Sequence, residues 1–162
     1  MIVDYKDIPK WGKLWIFPSN RKFYAQEIPE IKEAIEDFLN KWTHNGQSLN
    51  CAYKFKYDRF IIVTVDDSQI SLSLESHDKL AAFILKLEKK YEVVLLDRIN
   101  VCYKQGEFVQ YKDVVEFKKM MKSKGVSPKT TVFNNMITTK GELSNDWEIN
   151  IMDSWLGRFL QK

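Results

Sequence analysis

Three aspartates stand at the ends of predicted strands, where proteins often hold metal ions. Asp66 and Asp67 directly follow the apolar segment Phe60–Val65, and Asp97 follows the apolar segment 93–96. Hydrolases that use Mg²⁺ hold it through carboxylates at such positions. Aspartates after strands are also common turn formers, which is the interpretation we favour. A metal-dependent hydrolase that uses Asp66, Asp67 and Asp97 stays open as an alternative function.

The sequence contains no complete motif for binding a nucleotide, holding zinc or activating a nucleophile. Neither GxxxxGK[ST] nor GxGxxG occurs, and His44 and His77 are too far apart for an HxxxH pair. No serine lies in a GxSxG motif. Cys51 and Cys102 lie in strand-like apolar stretches without a CxxC pair, so we expect buried free thiols in a reducing compartment. We expect no cofactor, no metal and no catalytic residue, and we favour a protein that is not an enzyme.

Tryptophan is concentrated near the two ends of the chain. Trp11 and Trp15 lie near its start, close to Arg21, and Trp147 and Trp155 lie near its end. Tryptophan and arginine are enriched among the interface residues that contribute most to binding. Each tryptophan alone could instead anchor a chain end to the core, but one small core rarely hides all of them. The leading hypothesis is a non-enzymatic protein-binding or adaptor protein of unknown pathway, with Trp11, Trp15, Arg21, Trp147 and Trp155 as candidate partner contacts.

Cations clustered on one predicted helix offer a different function. Lys118, Lys119 and Lys122 lie within one helical segment, and Arg21 opens a run in which cations precede aromatic rings. Nucleic-acid-binding proteins combine phosphate-contacting cations with stacking rings. The formal net charge is only +3, however, and acidic residues are interspersed among the cations. Association with nucleic acid or ribosomes through Arg21, Lys118, Lys119 and Lys122 is therefore an alternative to the protein-binding hypothesis.

Apolar periodicity predicts the elements that must position these residues. A short strand over residues 13–17 precedes a helix in which apolar residues recur every three or four positions between Ile28 and Trp42. Residues 50–57 alternate as a half-buried strand, and the apolar segment that follows predicts a central strand. A second helix is expected with Ser76 as its N-cap, followed by a buried strand over residues 93–96.

The resulting order of elements is strand, helix, strand, strand, helix, strand. This order matches a split-βαβ unit, so we predict an α+β fold with a ferredoxin-like antiparallel sheet and helices on one face. A small C-terminal α/β extension is expected to follow. We place the core at residues 1–104 and the extension, packed on that core, at residues 105–162; the whole chain, 1–162, as one single domain is the alternative.

Turn and capping signals define the elements of the extension. Gln105-Gly106 separates two strand-like segments and predicts a hairpin. Asp113 and Thr139 are each followed three residues later by a glutamate, which predicts capped helices. Residues 131–133 predict a short strand, and residues 151–160 predict a final helical turn or two.

The composition is typical of a globular protein. Hydrophobic residues make up 44% and charged residues 29% of the chain, far from a disordered composition. The segment 1–10 contains Asp4 and Asp7 and lacks the apolar stretch of a signal peptide. No apolar run approaches the length of a membrane span. We therefore expect a soluble cytoplasmic protein that does not associate with membranes.

Several stretches together resemble a group of known proteins. They are WIFPSNRKF (15–23), LDRINVCYK (96–104), VFNN (132–135), Thr139-Lys140 with Glu142, and DSW (153–155). Over most of its length the chain resembles a family of uncharacterised proteins of similar length from the Bacteroidetes lineage. Members are sometimes labelled ABC transporter ATPases, but the phosphate-binding loop that such chemistry needs is absent here. The resemblance implies no active site and supplies no catalytic residues.

The C-terminal part also resembles bacterial GYF-type modules, which are regarded as protein-binding. The likeness lies in the order of a turn at Gly106, a capped helix, the segment 126–132 and Trp147, without a complete GYF motif. It implies a protein-binding role for this part of the chain.

Overall fold

The computed structural model describes residues 1–68, 70–97 and 99–160. Within these ranges it contains helices together with a three-stranded and a four-stranded antiparallel sheet and one short hairpin. This content confirms the predicted α+β fold class.

In the first sheet, which has three strands, the third strand in sequence lies between the other two. All six of its residues are buried, because it has a neighbour on each side and a packed layer on each face. The central position predicted for this apolar segment is therefore confirmed. The strands are β1 (Lys13–Pro18), β4 (Cys51–Lys56) and β5 (Phe60–Val65), in the order β1-β5-β4.

Two helices, α1 (Glu27–Lys41) and α2 (Leu74–Tyr91), cover one face of this sheet. A spacing of three or four residues places the apolar side chains of each helix on a single side, toward the sheet. A short hairpin of β2 (Thr43–His44) and β3 (Gln47–Ser48) follows α1. The helix residues buried in this core are Ile31, Ile35, Leu39, Leu80, Ile84, Leu87 and Tyr91.

The second sheet is formed by the C-terminal part of the chain. Its order is β7-β6-β8-β9, and every neighbouring pair is antiparallel. A helix, α3 (Val114–Lys122), packs on the face of this sheet that points away from the first sheet, and a short α4 (Lys140–Asn145) precedes the last strand. The strands are β6 (Val101–Gln105), β7 (Phe108–Lys112), β8 (Thr131–Phe133) and β9 (Glu148–Asn150).

A shared core joins the two sheets face to face. Side chains alternate along a strand, so β1 and β5 send one set of residues to the helices and the other set to the second sheet. Large rings fill the space between the sheets, and the Phe60 and Trp147 ring centroids lie 5.0 Å apart. The buried members of this core are Leu14, Ile16, Phe60, Ile62, Cys102, Phe133, Ile137 and Trp147.

The predicted strand over residues 93–96 is wrong. This segment is not a strand, because a side chain binds its backbone: Glu88 Oε2 accepts hydrogen bonds from the amides of Leu95 and Leu96, at 2.6 and 2.8 Å. The outer edge of β1 instead meets the loop before α4, where the Leu14 amide donates to the Thr138 carbonyl at 2.9 Å. The first sheet therefore lacks the fourth strand of a ferredoxin-like sheet.

The helix starts follow capping rules, with one correction. Ser73, not Ser76, is the N-cap of α2, and its hydroxyl accepts from the Ser76 amide. Asp113 caps α3 as predicted, and Thr139 forms the predicted capping box with Glu142. Polar side chains therefore satisfy backbone donors that the first helical turn leaves unpaired.

The expected domain boundary lies inside a paired strand. The division after residue 104 falls within β6, which pairs with both β7 and β8; the division itself stays a prediction.

Of the helices in the described parts of the chain, none combines the length and the apolar character that crossing a bilayer requires.

Candidate functional site

A pocket lies between the second sheet and the last turns of the chain, and we call it the Trp155 pocket. Its volume is about 280 Å³, and its walls come from the start of β6, from β8 and the loop after it, from β9 and from two C-terminal 3₁₀ turns, Ile151–Asp153 and Trp155–Phe159. Three lining residues are large, apolar and exposed: Ile99 at 71%, Met136 at 60% and Trp155 at 51%. Clustered apolar groups beside a pocket are typical of binding surfaces.

Some polar groups of the Trp155 pocket are already committed to structural hydrogen bonds. The Asn100 side chain donates to Asp97 and Tyr111 and accepts from the Val114 amide. It therefore holds the start of β6, the end of β7 and the start of α3 together. Its amide group has little capacity left for a ligand.

Two other polar groups of the pocket could form hydrogen bonds to a ligand. Asn134 uses its side-chain oxygen to accept from the Met136 amide, at 3.2 Å. Within the part of the chain that the structure describes, its amide nitrogen and the exposed Asp153 carboxylate have no protein partner. The pocket thus offers one donor and one charged acceptor beside apolar surface.

A buried network fixes the loop that carries Asn134. Trp147 donates its indole N–H to Asn135 Oδ1 at 2.9 Å, and Asn135 Nδ2 donates to Cys102 Sγ at 3.6 Å. All three residues are buried. Burial raises the pKa of Cys102 to about 12, so the thiol stays protonated at neutral pH and is a poor nucleophile.

A second tryptophan site, the Trp11 pocket, lies beside β1. Its volume is about 440 Å³, and Trp11, Trp15, Asp67 and His77 are among its lining residues. Trp11 is 66% exposed, whereas Trp15 is only 9% exposed. Trp15 donates its indole N–H to His77 Nε2 at 3.2 Å and packs edge-on against that ring.

The four candidate tryptophans therefore divide into two pairs. Trp11 and Trp155 are exposed and line different pockets. Trp147 is 2% exposed and belongs to the core between the sheets, which removes it from the candidate contact surface. Trp15 is largely buried as well and anchors β1 to α2 through His77. Burial next to a hydrogen-bond partner is the usual arrangement for an indole inside a protein.

Arg21 holds the start of α1 rather than projecting freely. Its guanidinium makes two hydrogen bonds to Glu27, at 2.9 and 3.0 Å, and a third to the Tyr91 carbonyl at 2.8 Å. The hydrogen bonds to Glu27 raise the pKa of Arg21 and lower the pKa of Glu27. This structural commitment opposes a role for Arg21 in contacting either a partner or a phosphate.

The three candidate lysines lie on α3, as the sequence predicts. Lys118 packs its ammonium over the Phe159 ring at 4.7 Å, which ties it to the last turns. Lys119 and Lys122 are exposed in the last helical turn, where cations interact favourably with the helix dipole. Binding of nucleic acid through these residues stays a prediction.

The candidate carboxylates act as turn formers. Asp66 accepts from the amide and hydroxyl of Ser68, and Asp97 accepts from the Ile99 amide and from Asn100. Asp67 lines the Trp11 pocket. Among the described residues, no group of three or more histidine, cysteine or acidic side chains is arranged to hold a metal ion.

The sequence reasoning missed several residues that the structure places at pockets. Ile99 and Met136 were assigned no role in binding, although both are exposed at the Trp155 pocket. The sequence signal for both residues was an apolar side chain that lies beside a turn and outside any amphipathic helix or strand. Arg59, at the start of the most buried strand, was also missed and is 8% exposed. A cation directly before an almost entirely apolar strand was the signal for that position.

The comparisons with known proteins bring no assignment. No protein-family model matches the chain, and searches of curated proteins and of solved structures each find no significant similarity. The resemblance to the Bacteroidetes family therefore stays a prediction. Fold and pockets together describe an α+β protein with two tryptophan-bearing surface sites.

Proposed function

We propose that this protein is a non-enzymatic binding or adaptor protein that takes a segment of another protein into the Trp155 pocket. The observation that carries the proposal is the exposure of Trp155, Ile99 and Met136 around one pocket. Exposed apolar side chains that converge on a cavity gain free energy when a partner covers them. Tryptophan is also enriched among the interface positions that dominate binding.

The pocket chemistry suits a polypeptide segment with an apolar side chain. That side chain would enter the pocket and contact the Trp155 ring. The Asp153 carboxylate can accept from a backbone N–H of the segment, and the Asn134 amide can donate to a backbone carbonyl. The deeper polar groups, Asn100 and Asn135, already hold the walls in place, which gives a preformed site that loses little entropy on binding.

The proposal is tested by selecting ligands from a displayed library of random peptides. Affinities of the selected peptides are then measured for the unmodified protein, for Trp155→Ala and for Trp11→Ala. We expect Trp155→Ala to weaken binding by at least about tenfold, because tryptophan is enriched among the interface residues whose truncation costs about 2 kcal/mol or more. Trp11→Ala is the matched control, since it removes an exposed ring of the same type from the other pocket, and we expect it to leave the affinity unchanged.

Two results would contradict the assignment of the pocket. One is a set of peptides whose affinity is unaffected by Trp155→Ala, and the other is a loss of affinity only in Trp11→Ala. A tagged pull-down from the source cells, with and without nuclease, separates the alternatives. Capture that survives nuclease and is lost in Trp155→Ala supports a protein partner, whereas capture lost on nuclease treatment supports nucleic acid.

A further inference from the structure

A separate pocket contains a buried arginine, with which no carboxylate of the described residues forms an ion pair. The Arg59 pocket has a volume of about 180 Å³ and lies beside two turns, one between β4 and β5 and one between β6 and β7. Arg59 is only 8% exposed. Among the residues that the structure describes, no acidic side chain forms an ion pair with it. A buried cation is costly unless a counter-ion or hydrogen bonds compensate it.

One edge of the Arg59 guanidinium is open. Nη1 donates to the Ser19 carbonyl oxygen at 3.1 Å. The Nε and Nη2 donors have no acceptor in the described parts of the chain, and the residue lines the pocket. These two N–H groups share one edge of the planar guanidinium and point in nearly parallel directions. Such an edge matches the two oxygens of a single carboxylate.

Besides Arg59, the pocket is lined by three aromatic or aliphatic residues, Tyr57, Phe108 and Val109, and by three charged residues, Lys22, Asp58 and Glu107. Phe108 is 72% exposed and lies beside Val109. Lys22 is also at the pocket, and its ammonium is 3.9 Å from the Asp58 carboxylate. Lys22 and Arg59 give the pocket two positive charges, and Asp58 and Glu107 give it two negative charges. This balance favours a ligand with one negative charge over a phosphate that carries two.

A tight hairpin turn positions Arg59. Tyr57 and Asp58, which directly precede it, both have positive φ angles, of 56° and 51°. The left-handed conformation is uncommon for a bulky residue such as tyrosine. The Arg59 amide donates to the Lys56 carbonyl at 3.0 Å across this turn, and positive φ at both central residues is the usual geometry of a type I′ hairpin turn. The turn therefore holds Arg59 directly before β5, beside the pocket.

We infer that the Arg59 pocket binds an apolar carboxylic acid. The carboxylate would accept two hydrogen bonds from Nε and Nη2 of Arg59, and the apolar group would lie against Phe108 and Val109. The same chemistry is available from a free small acid and from the C-terminal carboxylate of a peptide. This site is separate from the Trp155 pocket and does not depend on the function proposed for that pocket.

The test uses matched ligands on the full chain, followed by nuclear magnetic resonance of the Arg59 Nε–H group and of backbone amides. Phenylacetate is compared with phenylacetamide, and a peptide that ends in phenylalanine with a free carboxylate is compared with its amidated form. We expect an acid to shift the Arg59 signal and the Phe108 amide, and the uncharged analogue to do neither. A response to phenylacetate identifies a free acid, and a response to the peptide alone identifies a chain terminus.

Variants complete the test. We expect Arg59→Gln to weaken binding of the responding acid at least about tenfold, as for loss of hydrogen bonds to a charged group. If Arg59→Gln does not fold, Phe108→Ala tests the inference instead. This exposed side chain is dispensable for the core, and its loss should weaken binding of the acid severalfold. Leu74→Ala is the control and should have no effect, because Leu74 is 80% exposed and does not line the Arg59 pocket. Equal responses to acid and amide, or no response to either acid, would overturn the inference.

Discussion

The phenol hydroxyl of Tyr57 donates a hydrogen bond to Oε1 of Glu148, with 2.8 Å between the oxygens. Tyr57 lies in the turn between β4 and β5 of the first sheet, whereas Glu148 begins β9 of the second sheet. Lys104 of β6 forms an ion pair with the same carboxylate. The Tyr57 ring also packs at 5.6 Å from the Phe133 ring. A single turn residue therefore links the two sheets by both polar and aromatic contacts.

Removing the Tyr57 hydroxyl should weaken this link. Tyr57→Phe keeps the ring, so we expect the free energy of unfolding to fall by about 0.5–1.5 kcal/mol, the usual net contribution of one hydrogen bond. Urea unfolding measures the change. Tyr24→Phe is the matched control, because Tyr24 is 56% exposed and its hydroxyl has no protein acceptor in the described residues. An equal loss in both variants would show that the link contributes nothing.

Ionisation of Tyr53 should reduce stability at alkaline pH. Its hydroxyl donates to Glu36 at 3.2 Å, and burial, together with the charge of Glu36, raises the pKa of Tyr53 to about 12. In the unfolded chain a tyrosine ionises near about pH 10, so the unfolded state loses its proton first. The contribution of Tyr53 is therefore complete below about pH 10 and is lost as the pH rises to about 12. Unfolding at a series of pH values should show a shallower loss for Tyr53→Phe than for the unmodified protein, and identical slopes would contradict this account.

Neighbouring asparagines after β8 should differ sharply in their effect on stability. Asn135→Ala leaves the buried indole N–H of Trp147 without its acceptor, so we expect a loss of about 1–3 kcal/mol. Asn134→Ala changes a half-buried residue and should cost less than about 1 kcal/mol. Thermal and urea unfolding of both variants measure the difference. Similar losses in the two variants would argue against the buried network.

The Glu88 side chain should control the conformation of residues 93–96. Glu88→Ala removes the acceptor of two backbone amides, and we expect a loss of about 1.5–3 kcal/mol, typical of hydrogen bonds to a charged group. Hydrogen exchange at Leu95 and Leu96 should accelerate in this variant. Asp78→Ala, which changes an exposed acid on the same helix, is the control and should leave both amides protected. Unchanged exchange in Glu88→Ala would mean that another contact holds the segment.

The sequence by itself determined the local elements and the α+β class. The helical spacing of Ile31, Ile35 and Leu39, the apolar run of β5 and the turn at Gly106 are local patterns. Each acts through the intrinsic geometry of a helix, a strand or a turn, which depends on residues close in sequence. The capping box at Thr139 was readable for the same reason. The absence of known catalytic motifs was likewise a property of the sequence alone.

Only the tertiary structure decided which residues meet and which remain exposed. The apolar segment 93–96 has the composition of a strand, but the Glu88 side chain binds its amides first, and periodicity does not reveal such a contact. Trp147 and Trp155 look alike in sequence, yet one fills the space between the sheets and the other lies at a pocket. The open edge of Arg59 likewise depends on how two distant turns come together. Burial and hydrogen-bond partners are set by the packing of residues far apart in the chain, and that packing creates the Trp155 pocket and the Arg59 pocket.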